Sequence, residues 1–308
     1  MKKHIILTFV LIIFILNIET IIFSVKDASM LFFNKIFISI FPFIILSDIL
    51  IYYNYHYFLK NNFIGKFISK LFNIDYNSTS IFILSILTGT PTNAILINRM
   101  INDKKINKDI AEKLLTFTYF PSIPFVIGSI GISTYNNIKI GLVLYTICLI
   151  NNVMIGLYLK NKNKGINIEN DNPIIKSNFF IMIKNSILNA INNCYIILGN
   201  LIIFTIIINL FNKYININSI ISAIISGIFE LTNGIINISL LDININFKIL
   251  LSSFLLNFTG LSILFQSFSI LNEYKFNIKK ILIIKLIFSL TSTVILYFLL
   301  LIWNPFRI

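Results

Sequence analysis

The sequence predicts an all-α polytopic membrane protein with about seven transmembrane helices and two re-entrant helical hairpins. Three observations carry that expectation. Of 308 residues, 56% are hydrophobic and only 12% charged, with a mean hydropathy of +0.86, far outside the range of a soluble globular domain. Seven stretches supply the roughly 20 apolar residues that cross a bilayer as a helix. Two more are as apolar but are interrupted at their centres by residues that break helices.

The first stretch runs from Ile5 to Phe23. Lys2 and Lys3 precede it as they would a secretory signal, but a small-x-small cleavage site is lacking and Asn17 and Glu19 fall near its end; residues 1–28 are therefore read as an N-terminal transmembrane helix. Phe37 to Tyr57 is the next span, followed by Ser78 to Met100, which is broken at Gly89-Thr90-Pro91. Leu114 to Ile132 and Ile138 to Leu159 complete a first half over 29–159. KNKNKGINIENDNPIIKS, Lys160 to Ser177, is the long polar stretch and marks a cytoplasmic linker over 160–180. Lys176 to Ala190 reads as an amphipathic lead-in at the interface, ahead of a span from Ile191 to Phe211. Ser219 to Leu240 is broken around Glu230 to Gly234, and Ile249 to Leu271 and Ile281 to Trp303 close a second half over 181–308.

Length does not decide whether the two interrupted stretches cross, since 23 residues of helix rise about 34 Å. The basic residues do. If both stretches return to the side they enter from, and the N-terminus is cytoplasmic, 19 of the 25 Lys and Arg residues, Lys285 among them, fall on the cytoplasmic side; if both cross, the split is 11 inside and 14 outside. The positive-inside rule selects hairpins and an N-in, C-out topology with seven crossings. The net charge of +13 is thus a topology signal, and no nucleic-acid partner is expected.

The halves resemble each other. A shift of 140 residues lays Thr92-Asn93 on Thr232-Asn233, Ser122 on Ser262, Phe125 on Phe265 and Lys139 on Lys279, and each half runs helix, broken hairpin, broken helix, helix. One hairpin starts inside and the other outside, so the repeat is inverted, as in many secondary transporters.

In hydrocarbon an unpaired backbone N–H or C=O costs several kcal/mol, so broken backbone persists only where it is buried in protein or lines a cavity. At the first hairpin, Gly89 suits the end of one half-helix, Thr90 an N-cap and Pro91 the first position of the next, with Thr92 and Asn93 following. In TYFPSIPFV, Pro121 and Pro124 flank Ser122, and each proline frees a carbonyl one turn earlier. GIFELTNGI carries Glu230, Thr232 and Asn233; LNFTGLSILFQ carries Asn257, Gly260, Ser262 and Gln266. Any single break reads as an ordinary kink. Four, paired between halves, point to a substrate cavity at the repeat interface.

Only Asp48 and Glu230 are acids well inside apolar runs, where a charge costs at least about 2.5–3.5 kcal/mol on insertion scales and so requires water, a partner or a proton. Glu230, beside a break, is the candidate for a coupling-ion or substrate role. Asp48 either caps a neighbouring helix end or faces a polar groove. Gln266 and Asn257 can donate to a substrate carboxylate or carbonyl, whereas Arg99 and Lys113 read as interfacial snorkelling residues. Helix N-termini at the tips favour anions and unwound carbonyls favour sodium or protons, which points to an organic anion or polar heterocycle. Cys148 and Cys194 read as core thiols and His4 and His56 as interfacial; with no Walker A, G-x-S-x-G or H-E-x-x-H pattern, no catalytic, metal or cofactor site is expected.

The order of broken segments resembles the nucleoside-recognition, or Gate, architecture that forms the transport core of concentrative nucleoside transporters. More closely, the chain resembles the YlbJ-type (SpoVV) sporulation integral membrane proteins, through FPFIILSDIL (Phe41 to Leu50), LTGTPTNA (Leu87 to Ala94), LLTFTYFPSIPFVIGSIG (Leu114 to Gly131), GIFELTNG (Gly227 to Gly234) and FTGLSILFQ (Phe258 to Gln266), over about residues 30–303. The resemblance implies a membrane protein of an endospore-former that moves dipicolinic acid across the outer forespore membrane. Gly89, Pro91, Ser122, Pro124, Glu230, Gly260, Ser262 and Gln266 match the family's broken segments. Where the family has Gly-Tyr-Pro-x-Gly at the first break, this chain has Gly-Thr-Pro-Thr-Asn. The expectation is a carrier for a small aromatic dianion, coupled to a proton or sodium ion. An ion-coupled nucleoside or nucleobase transporter and a non-transporting sporulation scaffold are the alternatives.

Overall fold

The structure, a computed structural model, describes residues 2–160, 179–215 and 218–302, and every regular element among them is helical. The polar linker expected over 160–180 lies outside the described residues apart from its ends, as does the stretch from 303 onward.

The first expected span is not straight. Helix α1 (Lys2–Leu16) meets α2 (Ile18–Leu31) at an angle of 85°. Asn17 sits buried in the corner: its Nδ2 donates to the Ile13 carbonyl at 2.9 Å, while its Oδ1 accepts from the Tyr214 hydroxyl at 2.7 Å and from Lys213 Nζ at 2.9 Å. These polar partners hold a bend that an apolar run alone does not call for. From α2 the chain passes through a π-helical stretch, π1 (Phe32–Phe37), into α3 (Ile38–Tyr52), so the span expected at Phe37–Tyr57 begins as the tail of α2 and stops at Tyr52. Asn54, in the left-handed region at φ 52°, turns the chain into α4 (Tyr55–Asn61) and α5 (Phe63–Phe72). Helix α5 exposes Phe63, Ile64 and Phe67 beside Lys66 and Lys70, the composition of an interfacial helix.

The first interrupted stretch folds back on itself as α6 (Tyr76–Thr88) and α7 (Thr92–Asn102), and Asn77 Nδ2 donates to the Lys105 carbonyl at 3.5 Å across its open end. Helix α8 (Lys108–Phe117) then unwinds over 118–122 before π2 (Pro124–Thr134), which divides the span expected at Leu114–Ile132; α9 (Ile138–Tyr158) matches its expected span. In the second half, lead-in and span are one 36-residue helix, α10 (Phe179–Tyr214), rising about 54 Å and so outreaching the roughly 30 Å hydrocarbon core. The second hairpin is α11 (Ser219–Phe229) and α12 (Leu231–Leu240), packed so closely that a Cβ on Gly234 would fall on Gly227 Cα. Then come α13 (Ile245–Phe258), α14 (Leu261–Ile270) and α15 (Ile278–Ile302), with the break between α13 and α14 at Thr259-Gly260.

By length and composition, four helical stretches reach across a bilayer: Ile138–Tyr158, Phe179–Tyr214, Ile245–Ile270 and Ile278–Ile302. The bent α1/α2 pair makes a fifth. This corrects the expected seven, because α3 is only 15 residues long and the unwound 118–122 segment divides the stretch from Leu114 to Ile132. Exposed Ile, Leu and Phe side chains on α1, α10 and α15 form an apolar exterior that fits membrane insertion.

Both halves present a helix (α3; α10), a hairpin (α6/α7; α11/α12), a broken helix (α8/π2; α13/α14) and a closing helix (α9; α15), and Lys139 and Lys279 are each the second residue of their closing helix. Their packing is reciprocal: α7 packs on α14 as α12 packs on π2, and α8 packs on α15 as α13 packs on α9. The core follows the same exchange, with Leu96 and Ile97 of α7 clustered with Leu264 of α14, and Ile235 of α12 with Val126 of π2.

Candidate functional site

The first hairpin tip is seated on the first break. Gly89 takes φ 77°, ψ −172°, a conformation in practice reserved for glycine, and a Cβ there would lie 2.6 Å from Ser122 N. Pro124 has no N–H for the Phe120 carbonyl one turn back; the Thr90 N–H takes that carbonyl instead, at 2.7 Å. Asn152 Nδ2 of α9 donates to the Tyr119 carbonyl at 3.0 Å, satisfying one group of the unwound backbone, and Asn93 Nδ2 donates to the Thr118 hydroxyl oxygen at 3.3 Å, tying the first tip to the break. Helix α7 starts one residue later than expected: Pro91 holds the N-cap position and no side chain caps the helix. In its first turn, fully buried Thr92 and Asn93 leave Oγ1 and Oδ1 without a hydrogen-bond partner.

The second tip is closed by its own anion. Glu230, buried, is the N-cap of α12: Oε1 accepts from Thr232 N at 3.1 Å and Oε2 from Asn233 N at 2.7 Å. The carboxylate that looked orphaned in the sequence answers the positive end of a helix. Gly260, at φ 76°, presses on this tip, where a Cβ would lie 3.3 Å from both Gly227 O and Leu231 N.

Both tips and the first break line one cavity of about 60 Å³, room for a few water molecules, and the second broken helix reaches it through α14 rather than through its break. Thr90 and Pro91 line it from the first tip, Pro121 and Ser122 from the first break, Glu230 and Thr232 from the second tip, and Gln266 from α14; Ile40 and Leu201 complete the wall from α3 and α10. Gly89, Thr92, Asn93, Asn233 and Gly260 shape the tips and breaks without lining the cavity, and Ser262 stands behind Gln266, accepting from its Nε2 at 3.2 Å. Two expected residues fall elsewhere. Pro124 is exposed as the first residue of π2, and Asn257, though buried, donates back to the Ser253 carbonyl at 2.8 Å within α13.

A larger polar cavity of about 590 Å³ lies beside the other end of α7, lined by Asp48 and Tyr52 of α3, Arg99 and Asn102 of α7, and Asn185 and Asn189 of α10. Arg99 stands about 12 Å along the chain from Pro91. Its Nη1 lies 3.4 Å from Asp48 Oδ1, while Asp48 Oδ2 accepts from Asn189 Nδ2 at 3.0 Å. Asp48 therefore faces a polar groove, and Arg99 is its partner rather than a free snorkelling residue. At the open end of the first hairpin, burial raises the Asp75 carboxyl above its ordinary range despite its bond from Ser78 N, and burial lowers Lys105, whose Nζ donates to Asn54 Oδ1 at 3.2 Å.

Sequence reasoning missed Lys285. Expected as a cytoplasmic charge, it is 1% exposed within α15: Nζ donates to Thr259 Oγ1 at 2.7 Å and lies 4.0 Å from the centroid of the Tyr119 ring. The signal was available, since ILIIKLIF is as apolar as the runs around Asp48 and Glu230.

The chain is similar to the sporulation integral membrane protein YlbJ of Bacillus subtilis, 23% identical over 320 residues that cover 91% of this chain and 77% of that protein. No family model matches it, and no solved structure matches it. The likeness supports the YlbJ-type resemblance along nearly the whole chain.

Proposed function

From that likeness to a YlbJ-type sporulation membrane protein, we propose that the chain is a secondary-type transporter or facilitator that moves dipicolinate, a small aromatic dianion, across the outer forespore membrane of a sporulating bacterium. The observation that carries the reading is the convergence of both hairpin tips, the first break and α14 on one cavity through Thr90, Pro91, Ser122, Glu230, Thr232 and Gln266. Broken helices meeting inside an apolar body are what a substrate site in a membrane requires. Reciprocal packing of the halves 29–159 and 181–308 supports an inverted repeat with both hairpins re-entrant. In this reading the N-terminus is cytoplasmic, the C-terminus is outside, and access alternates as the halves rock around the tips.

The chemistry follows from the two tips. The uncapped start of α7 offers a seat for a carboxylate. Across the cavity stands the Glu230 carboxyl, so a dianion enters favourably only when that group holds a proton or a cation comes alongside, which supports ion coupling. Glu230 also supports a second reading: a carboxylate acceptor in the wall suits a neutral, donor-rich ligand such as a nucleoside.

Purified protein in liposomes, given labelled dipicolinate or uridine, separates the two. Dipicolinate uptake is expected, and Glu230→Gln and Ser122→Ala are expected to abolish it, together with spore dipicolinate, at unchanged protein level. Uridine uptake alone would select the nucleoside reading, and uptake of neither by folded protein would leave a scaffold.

A further inference from the structure

We propose that the Lys285 ε-amine is a proton-binding site that links the two helix breaks to the cavity, an inference that rests on the transport reading. The ammonium is completely enclosed, and neither ion pair found among the described residues, Arg99–Asp48 and Lys280–Glu112, includes it. Helices α8, α9 and α13 pack on α15, and none of them pairs a carboxylate with Lys285. Helix α9 presents Cys148. Helix α8 presents Glu112, but that carboxylate is engaged more than a turn earlier, accepting from Asn277 N at 3.0 Å and lying 3.9 Å from Lys280 Nζ. Helix α13 carries Lys248 near its start, where Nζ donates to the Ser239 carbonyl at 2.8 Å. The breaks contribute the Thr259 hydroxyl and the face of Tyr119. A hydroxyl and a π face do not replace the hydration of an ammonium, so a lysine buried this way either recruits an anion or exchanges its proton. An anion would have to displace the Thr259 hydroxyl or the Tyr119 ring. A proton displaces neither.

What the proton controls follows from those two neighbours. Thr259 is a β-branched residue in the left-handed region, at φ 83°, held there beside Gly260, which presses on the second tip. Tyr119 adjoins Phe120, whose carbonyl holds the Thr90 N–H of the first tip. The charged amine thus ties one break of each half together at a point where both lead directly to residues that line the cavity. When the amine gives its proton to water, the charge-assisted bond and the cation–π contact are lost together, and the breaks are free to separate; rebinding a proton restores the arrangement described above.

Two measurements test this. In detergent-solubilised protein with ¹³C-labelled lysine, one side-chain resonance, absent from both Lys285→Met and Lys285→Arg, is expected to titrate separately from the surface lysines. In proteoliposomes, an imposed pH gradient is expected to stimulate dipicolinate uptake by wild type, and both variants, verified as folded by thermal melting, are expected to lose that stimulation. Variants that respond to the gradient as wild type does overturn the proposal. Wild-type vesicles that take up no dipicolinate overturn the transport reading instead, and the titration then decides the proton site by itself: a Lys285 resonance that keeps one charge state wherever the protein stays folded overturns it.

Discussion

Replacing Gly89 by alanine tests whether the first tip is seated on the first break. At φ 77°, ψ −172°, any other residue stores about 1–3 kcal/mol of backbone strain. The added methyl would also lie 2.6 Å, 2.7 Å and 2.8 Å from N, Cα and Cβ of Ser122. Two of these are backbone atoms, in a segment pinned by the Thr90 to Phe120 hydrogen bond, so relief requires the tip to move. Overpacking of that kind costs about 1–3 kcal/mol. The sum, about 2–6 kcal/mol, is a large share of the 5–15 kcal/mol that typically separates folded from unfolded protein. Gly199 is the control: in α10, with no atom within 4 Å of a built Cβ, alanine there is expected to stabilise by about 0.5–1 kcal/mol through helix propensity. At roughly 2–4 °C per kcal/mol, Gly89→Ala should melt on the order of 4–24 °C below wild type in detergent, and Gly199→Ala at or slightly above it. Coincident melting of Gly89→Ala and wild type would mean that the tip does not rest on Ser122, and the argument uniting the tips and the first break in one cavity would fail with it.

A double-mutant cycle of Asp48→Asn and Arg99→Gln, read by the same melts, should give a coupling of about 1 kcal/mol or less, because the Arg99 side chain keeps 31% of its exposure and water in the large cavity screens the pair; a coupling of several kcal/mol would mean that this cavity is dry. For Asp75, burial raises the folded value above the unfolded one, so the stability it contributes is present below the ordinary carboxylate range and is lost as pH rises through the folded value. Asparagine can accept the same Ser78 N–H, so Asp75→Asn should leave stability unchanged in acid and raise it at neutral pH. A less stable variant at neutral pH would contradict that sign.

Much of the site was legible because it is written in local chemistry. Glycine at a tip, prolines that remove donors, and polar residues inside apolar runs act within a turn of where they sit, so Gly89, Thr90, Pro91, Ser122, Glu230 and Gln266 could be picked out before any packing was known. Roles were less legible than positions. Glu230 reads as an orphan until α12 is seen to begin on it, and the start of α7 shifts by one residue once Thr90 is drawn to Phe120. The span count erred for the same reason, since hydropathy measures apolar length and is blind to backbone that unwinds after Phe117, where Asn152 of α9 takes up the Tyr119 carbonyl. The sequence by itself determined a helical chain made for lipid, and the points at which its helices must break. Only the tertiary structure decided which breaks face one another, that Asp48 finds Arg99, and that Lys285 lies between Tyr119 and Thr259, because a buried charge takes its meaning from neighbours that the chain brings together only by folding.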